Sequence, residues 1–186
     1  MATVAVQSFV SAPLRIPKIA QFKIGICQLK VATEKSANIL NARNLIQAAA
    51  EHDRRIYFRM YIKEMWNCPY STNLFAKFAE DFSDIDSAPS LLMLSEVASS
   101  LGVTIIGGSI PEKDAGQLYN SCPVFGPNGE LKAKHRKIHL FDMGKPFPGE
   151  VQFKESDNIS AGERPTVVDT DFGRIGIGIC HDIRFP

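Results

Sequence analysis

The chain has 186 residues, 45% of them apolar and 22% charged, and its net charge at pH 7 is +1. That length and balance suit one domain with a sizeable core, and the near-zero charge implies no polyanion partner, so no nucleic-acid partner is expected. No apolar run is long enough to span a bilayer, and no membrane partner is expected either.

The four cysteines, Cys27, Cys68, Cys122 and Cys180, are widely scattered and form no C-x-x-C pair. The four histidines show no metal-ligand spacing. No metal is expected, and the thiols read as reduced. Residues 1–21 carry Arg15 and Lys18 but no acidic residue. They read as an N-terminal extension, either a transit peptide or a disordered leader. The expected compartment is the cytoplasm, or a plastid or mitochondrion if the extension is a targeting segment.

Phe22 to Leu29 alternates as a strand does, with Ile24 and Ile26 on one face. Glu34 to His52 changes to a helical period, its apolar stripe formed by Ile39, Ala42, Leu45, Ile46 and Ala49. Asp53 to Lys63 is aromatic and β-prone but unusually rich in arginine for a central strand. It leads to Glu64 at a strand-to-loop junction beside Trp66, the only tryptophan. Ser90 to Leu101 is a second amphipathic helix, with Gly102 placed as its stop.

Val103–Gly107 and Leu118–Phe125 read as strands, and Pro127–Glu130 as a hairpin turn returning through Leu131–His139. Gly107-Gly108-Ser109 follows a strand, but no helix opens after it, so it does not read as a phosphate loop. A Pro/Gly-rich loop, Gly144 to Gly149, precedes Val151–Glu155, and Thr166–Asp169 pairs with the last strand. In that last stretch Ile175, Ile177 and Ile179 alternate with Gly176 and Gly178, the pattern of a buried strand. Cys180 stands where the alternation stops, placed either as a nucleophile at the lip of a sheet or as a small buried hydrophobe. The element order gives an α/β layered domain with a mixed sheet.

Three stretches stand out together: K-E-M-W-N-C-P-Y with Glu64, K-H-R-K-I-H-L with Lys137, and G-I-C-H-D-I-R-F-P with Cys180. In this order, each at a strand end, they resemble the Glu-Lys-Cys triad of the nitrilase superfamily. V-F-G-P-N-G-E-L, G-G-S-I-P-E and K-H-R-K-I-H-L-F-D are similar to its omega-amidase branch, and the resemblance runs from about Phe22 to Pro186. It implies a carbon–nitrogen hydrolase domain over residues 22–186, one half of an αββα sandwich with a mixed sheet.

The resemblance implies that Cys180 attacks an amide carbonyl and forms a thioester, that Glu64 moves the protons, and that Lys137 stabilises the oxyanion with the His181 N–H. F-K-E-S matches the family's further carboxylate at Glu155, expected to orient Lys137 and hold the substrate amide. Tyr70, Phe75 and Arg184 are candidates for the pocket wall, Arg184 reading equally as a structural ion-pair partner. The expected substrate is an α-keto acid monoamide such as α-ketoglutaramate, and the implied mechanism requires no cofactor and no metal. An N-carbamoyl amidohydrolase or nitrilase would use the same triad, and a catalytically silent homologue is the non-enzymatic alternative. The family also implies a homo-oligomer.

Two features depart from the family. Lys63 stands where a proline normally precedes the glutamate, and Arg55 and Arg59 intrude on a strand expected to be buried. The family's helix and strands after the nucleophile are not in this sequence, so the chain reads as C-terminally truncated. A papain-like pairing is disfavoured because His181, adjacent to Cys180, would point to the opposite face of an extended segment. His135 and His139 lack an identifiable orienting group.

Overall fold

The computed structural model describes residues 24–51, 59–62, 64–144 and 153–185. The expected extension over residues 1–21, Arg55, Lys63 and most of the loop ending at Gly149 lie outside the described residues. The elements run β1 (Ile24–Cys27), α1 (Lys35–Glu51), β2 (Arg59–Ile62), α2 (Phe75–Phe78), α3 (Pro89–Leu101), β3 (Thr104–Ile106), β4 (Ile110–Asp114) and β5 (Gln117–Phe125). They continue with β6 (Leu131–Arg136), β7 (Asp142–Met143), β8 (Phe153–Lys154), β9 (Thr166–Thr170) and β10 (Gly173–Ile177), and a 3-10 turn over Cys180–Arg184 ends the described chain.

Six strands make one mixed sheet, ordered β1-β2-β3-β5-β4 with β6 also on β5. β1, β2 and β3 are parallel, and β3, β4 and β6 all meet β5 antiparallel. The expected mixed α/β layer is therefore present. β2 pairs on both sides, Arg59 opposite Ile24 and Thr104, so the arginine-rich stretch forms a central strand from Arg59 onward.

Helices α1 and α3 pack on each other, and both reach the sheet. Ala42 and Ile46 of α1 join Leu91, Leu94, Val97 and Ala98 of α3 in a core that includes Ile105, Phe125 and Trp66. Two expectations change here. Leu45 is exposed, and the buried line of α1 is Asn38, Ala42 and Ile46, because Asn38 turns inward to bond Ala32 and the Asn67 carbonyl. Ile24 and Ile26 do share a face, but it is the open one, at 51% and 73% exposure. Cys27 and Leu29, in the opposite phase, enter the core.

The stop at Gly102 is as expected: its φ of +63° is left-handed, and its N–H reaches back to the last turn of α3. The first turn of α3 has no capping residue of its own. Glu80 serves instead, its carboxylate accepting from the Ser90 N–H at 3.0 Å and the Ser90 hydroxyl at 2.6 Å. The same carboxylate takes Lys35 Nζ of α1 at 3.0 Å.

β4 is a strand that the sequence reading did not contain. It carries Pro111 and three charged residues, and Glu112 among them is fully buried. The Glu112 carboxylate receives the Arg136 guanidinium at 2.9 and 2.6 Å, the Ser121 hydroxyl and the Lys134 ammonium. Burial alone would raise its pKa; these donors outweigh burial and hold it below the usual carboxylate range.

The last strand is also corrected. β10 pairs only with β9 among the described residues, in a two-stranded unit beside β6. Ile175 and Ile177 are half-buried and Gly176 and Gly178 exposed, so the alternation marks a hairpin rather than a buried strand.

Candidate active site

Each of the four principal candidates follows the end of a strand. Glu64 comes after β2, Lys137 directly after β6, Glu155 directly after β8 and Cys180 shortly after β10. The fold brings these ends to one place.

Lys137 is the centre of the group and is 0% exposed. Its Nζ lies 3.0 Å from Glu64 Oε1 on one side, and 3.0 and 2.9 Å from Glu155 Oε1 and Oε2 on the other. Desolvation by itself would lower the Lys137 pKa, but the two carboxylates more than offset it and hold the ammonium above its ordinary value. The site therefore contains a permanent positive charge.

Glu155 is also 0% exposed, in a short 3-10 turn. Besides Lys137 it accepts from the Phe141 N–H at 2.6 Å and from the Tyr70 hydroxyl. Desolvation and the hydrogen bond to Glu155 push the Tyr70 phenol well above its usual range. Tyr70 is braced by Phe153, stacked at 5.6 Å, and by Phe75, edge-on at 5.7 Å.

The turn after Glu64 is clamped by the glycine-rich stretch. Met65 N–H donates to Ser109 Oγ, Trp66 N–H to the Ser109 carbonyl, and the Trp66 indole to the Gly107 carbonyl at 2.7 Å. A Cβ at Gly107 would fall 2.7 Å from Leu94 and 2.9 Å from Pro123, which is why that stretch carries glycine. Met65 is left-handed, at φ +50°.

Cys180 is exposed, whereas the other three cysteines are buried. Its φ of +46° is likewise left-handed, a conformation that costs a residue with a Cβ roughly 1–2 kcal/mol. This decides against the core reading and for a thiol presented at a sharp turn. Desolvation first, then the neighbouring Glu64 carboxylate, raise the thiol pKa, while Lys137 acts to lower it. The raised pKa favours the neutral thiol, for which a nucleophilic role would require a base.

Glu64, Tyr70 and Cys180 open onto a cavity of about 410 Å³ whose remaining wall is Val31, Met65, Cys68 and Phe141. Polar groups thus meet at one end of an apolar cleft. Two of the expected wall residues lie elsewhere. Phe75 is fully buried behind Tyr70 and supports it from the core. Arg184 is exposed at the end of the terminal turn and forms no ion pair among the described residues. The His181 ring turns away to bond the Leu140 carbonyl and pack on Phe141 and Phe185, leaving only its backbone N–H beside the thiol.

Two residues of the site were missed in the sequence. Asn120 of β5 donates to Glu64 Oε1 at 2.9 Å, while its carbonyl accepts the Lys137 N–H at 2.8 Å. Asp182 ties the turn that carries Cys180 to the segment after β6. It accepts from the Ile179, Ile138 and His139 N–H groups and from the rings of His135 and His139. Asp182 thereby orients both histidine rings, while the charged groups that act on the thiol are Glu64, Lys137 and Glu155.

Although desolvation raises the Asp182 pKa, those donors bring it down to about 2. A depressed carboxylate stabilises the fold above its unfolded pKa of about 3.9, and the contribution is lost as pH falls through the folded value. Asp182→Asn is therefore expected to lower stability by about 2 kcal/mol near neutral pH. The gap between its urea midpoint and that of the parent should stay constant above about pH 4 and narrow below it. A gap that is absent near neutral pH, or that widens in acid, would contradict this role.

Among the described residues, no group of three or more His, Cys, Asp or Glu side chains could hold a metal ion, and no helix is long and apolar enough to cross a membrane. The carbon–nitrogen hydrolase family model matches residues 23–186. Omega-amidase, chloroplastic, of Arabidopsis thaliana is 52% identical over 174 residues, which is 93% of this chain and 46% of that protein. Omega-amidase NIT2 of Bos taurus is 44% identical over 167 residues, 90% of this chain and 57% of that protein. The crystal structure of Saccharomyces cerevisiae Nit3, a member of branch 10 of the nitrilase superfamily, superimposes with a TM-score of 0.78 at 34% identity. That match covers 89% of this chain and 57% of the Nit3 chain. The chain thus spans about half the length of the curated relatives it matches.

Proposed function

Since this chain belongs to the carbon–nitrogen hydrolase family, we propose that it cleaves the terminal amide of a small α-keto acid monoamide, of which α-ketoglutaramate is the type, to the dicarboxylate and ammonia. The observation that carries the reading is a buried ammonium held between two carboxylates, one of which adjoins an exposed, neutral thiol. The choice of substrate rests on the omega-amidase relatives.

Glu64 takes the Cys180 proton as sulfur attacks the amide carbon, and the carbonyl oxygen becomes an oxyanion. Lys137 Nζ and the His181 N–H stabilise that charge; Lys137 keeps its proton because the adjoining carboxylates favour the ammonium. Glu64 passes its proton to the leaving nitrogen, ammonia departs, and a thioester remains. Water, deprotonated by Glu64, then releases the carboxylic acid and regenerates the thiol. Glu155, fully buried, holds Lys137 in place, and Tyr70 on the cavity wall faces the substrate amide.

The raised thiol pKa separates this mechanism from a papain-like one, in which a thiolate is already formed before substrate binds. The Arabidopsis relative named chloroplastic favours a plastid over the cytoplasm for this protein.

The test is ammonia release from α-ketoglutaramate by the purified chain, with Cys180→Ala as control. Release that disappears in the control is the expected result. A soluble, folded sample that releases none would overturn the activity, and faster turnover of a ureido acid or a nitrile would reassign the substrate.

A further inference from the structure

We propose that Asn120 is a positioning residue that aims the Glu64 carboxylate at the Cys180 thiol; the proposal rests on the hydrolase reading above. One strand residue reaches both partners of the nucleophile. Its backbone carbonyl receives the Lys137 N–H at 2.8 Å, and its side-chain Nδ2 donates to Glu64 Oε1 at 2.9 Å. Glu64 Oε1 also receives Lys137 Nζ at 3.0 Å. With both donors on Oε1, the carboxylate cannot rotate freely, and Oε2 is the oxygen left for the thiol proton.

The second observation concerns the other end of the same amide. Asn120 is 0% exposed, and its Oδ1 has no hydrogen-bond partner among the described residues. A buried acceptor without a donor lowers stability. An apolar side chain of similar shape would fill this place in β5 without that loss, so packing does not explain the amide. Nor does reversing it help: Oδ1 would then face a carboxylate oxygen, and the NH₂ group would be left unpartnered. The side chain is explained by what its Nδ2 does for Glu64.

The charged and titratable groups around Glu64 are Lys137 after β6, Cys180 in the terminal turn, and Glu155 and Tyr70 across the ammonium. Among the described residues, Asn120 is the one uncharged donor to the carboxylate besides the thiol itself, and it does not line the cavity. Its loss should therefore act on proton transfer and leave substrate binding in place.

The experiment follows two rates from about pH 5 to about pH 9 in the full chain, Asn120→Ala and Asn120→Asp. One is carboxamidomethylation of Cys180 by iodoacetamide, read on the Cys180 peptide; the other is ammonia release. Asn120→Ala is expected to slow both by about tenfold to a hundredfold near neutral pH, to move the acid limb of each profile upward, and to leave KM close to that of the parent. Asn120→Asp places a second carboxylate against Glu64, so the pair retains a proton to higher pH and the acid limb moves further still.

Rates unchanged in folded variants overturn the proposal, as does an equal loss at every pH, which a merely structural residue would give. Unfolding of both variants also overturns it. If no chain releases ammonia but the Cys180 alkylation profile shifts as described, the positioning role stands and the amidase reading falls.

Discussion

Lys137→Met is expected to lower the stability of the chain by about 3–5 kcal/mol, a large share of the 5–15 kcal/mol or so that holds a typical domain together. Removal of this ammonium leaves Glu155, itself inaccessible to solvent, as a buried anion whose donors among the described residues are the Phe141 N–H and the Tyr70 hydroxyl. It also leaves Glu64 and Glu155 facing each other with no cation between them. Each effect disfavours the folded state while the carboxylates stay ionised. The loss should therefore shrink as pH is lowered towards 5 or so, where an isolated buried carboxylate takes up a proton.

In the parent the sign is opposite and lies at the other end of the scale. The Lys137 pKa is raised in the fold, so its contribution is intact below about pH 10 and is lost as pH rises through the folded value. Urea unfolding of the variant near pH 7 and near pH 5 reads the first effect. Lys137→Met combined with Glu155→Leu should recover much of the loss, because removing both charges leaves none uncompensated. A single variant as stable as the parent at both pH values would mean that the cation is dispensable to the fold.

Glu112→Ala is expected to cost about 3 kcal/mol without touching the cavity. Its carboxylate is fully buried, but Arg136 and Lys134 are only partly covered and can turn to water when it is removed, which keeps the effect at the lower end of the range. Glu112 is held below its ordinary pKa, so its stabilisation is complete above the unfolded value of about 4.3 and fades as pH falls through the folded one. Differential unfolding of variant and parent should thus converge in acid. A second readout concerns the site. Arg136 is the residue before Lys137, so a loosened β6 should also slow Cys180 alkylation; a normal alkylation rate in a destabilised variant would confine Glu112 to the fold.

Glu64, Lys137, Glu155 and Cys180 were expected together from the resemblance of the stretches that carry them, each alone having an ordinary structural reading, and the fold brings all four to one place after strand ends. The alternation around Ile24 and Ile26 gave a strand but could not say which face meets the helices. That depends on the register with β2 and on where α1 lies. Leu45 failed for a related reason: the inward position on α1 went to Asn38, a polar residue whose partners come from distant loops. β4 was invisible because Pro111, Glu112, Lys113 and Asp114 look like a loop until the cations of β6 neutralise the buried acid. Asn120 did leave a trace, as a polar side chain inside the otherwise largely apolar L-Y-N-S-C-P-V-F run. Asp182 left none, since all but one of its donors lie more than 40 residues away.

The cap that Glu80 supplies to α3 has a consequence for how the cavity can breathe. Through Lys35, Asn67 and Ser90 it joins the start of α1, the turn after Glu64 and the first turn of α3 into one polar knot. Local opening of any one of these breaks hydrogen bonds of the other two, so amide exchange along that wall belongs to a single cooperative unit. The opposite wall is built differently: the 3-10 turn from Cys180 to Arg184 has no buried residue. That turn is held instead by Asp182, which reaches β6 and the segment after it, so the two walls of the cleft are anchored by separate hydrogen-bond networks centred on Glu80 and on Asp182.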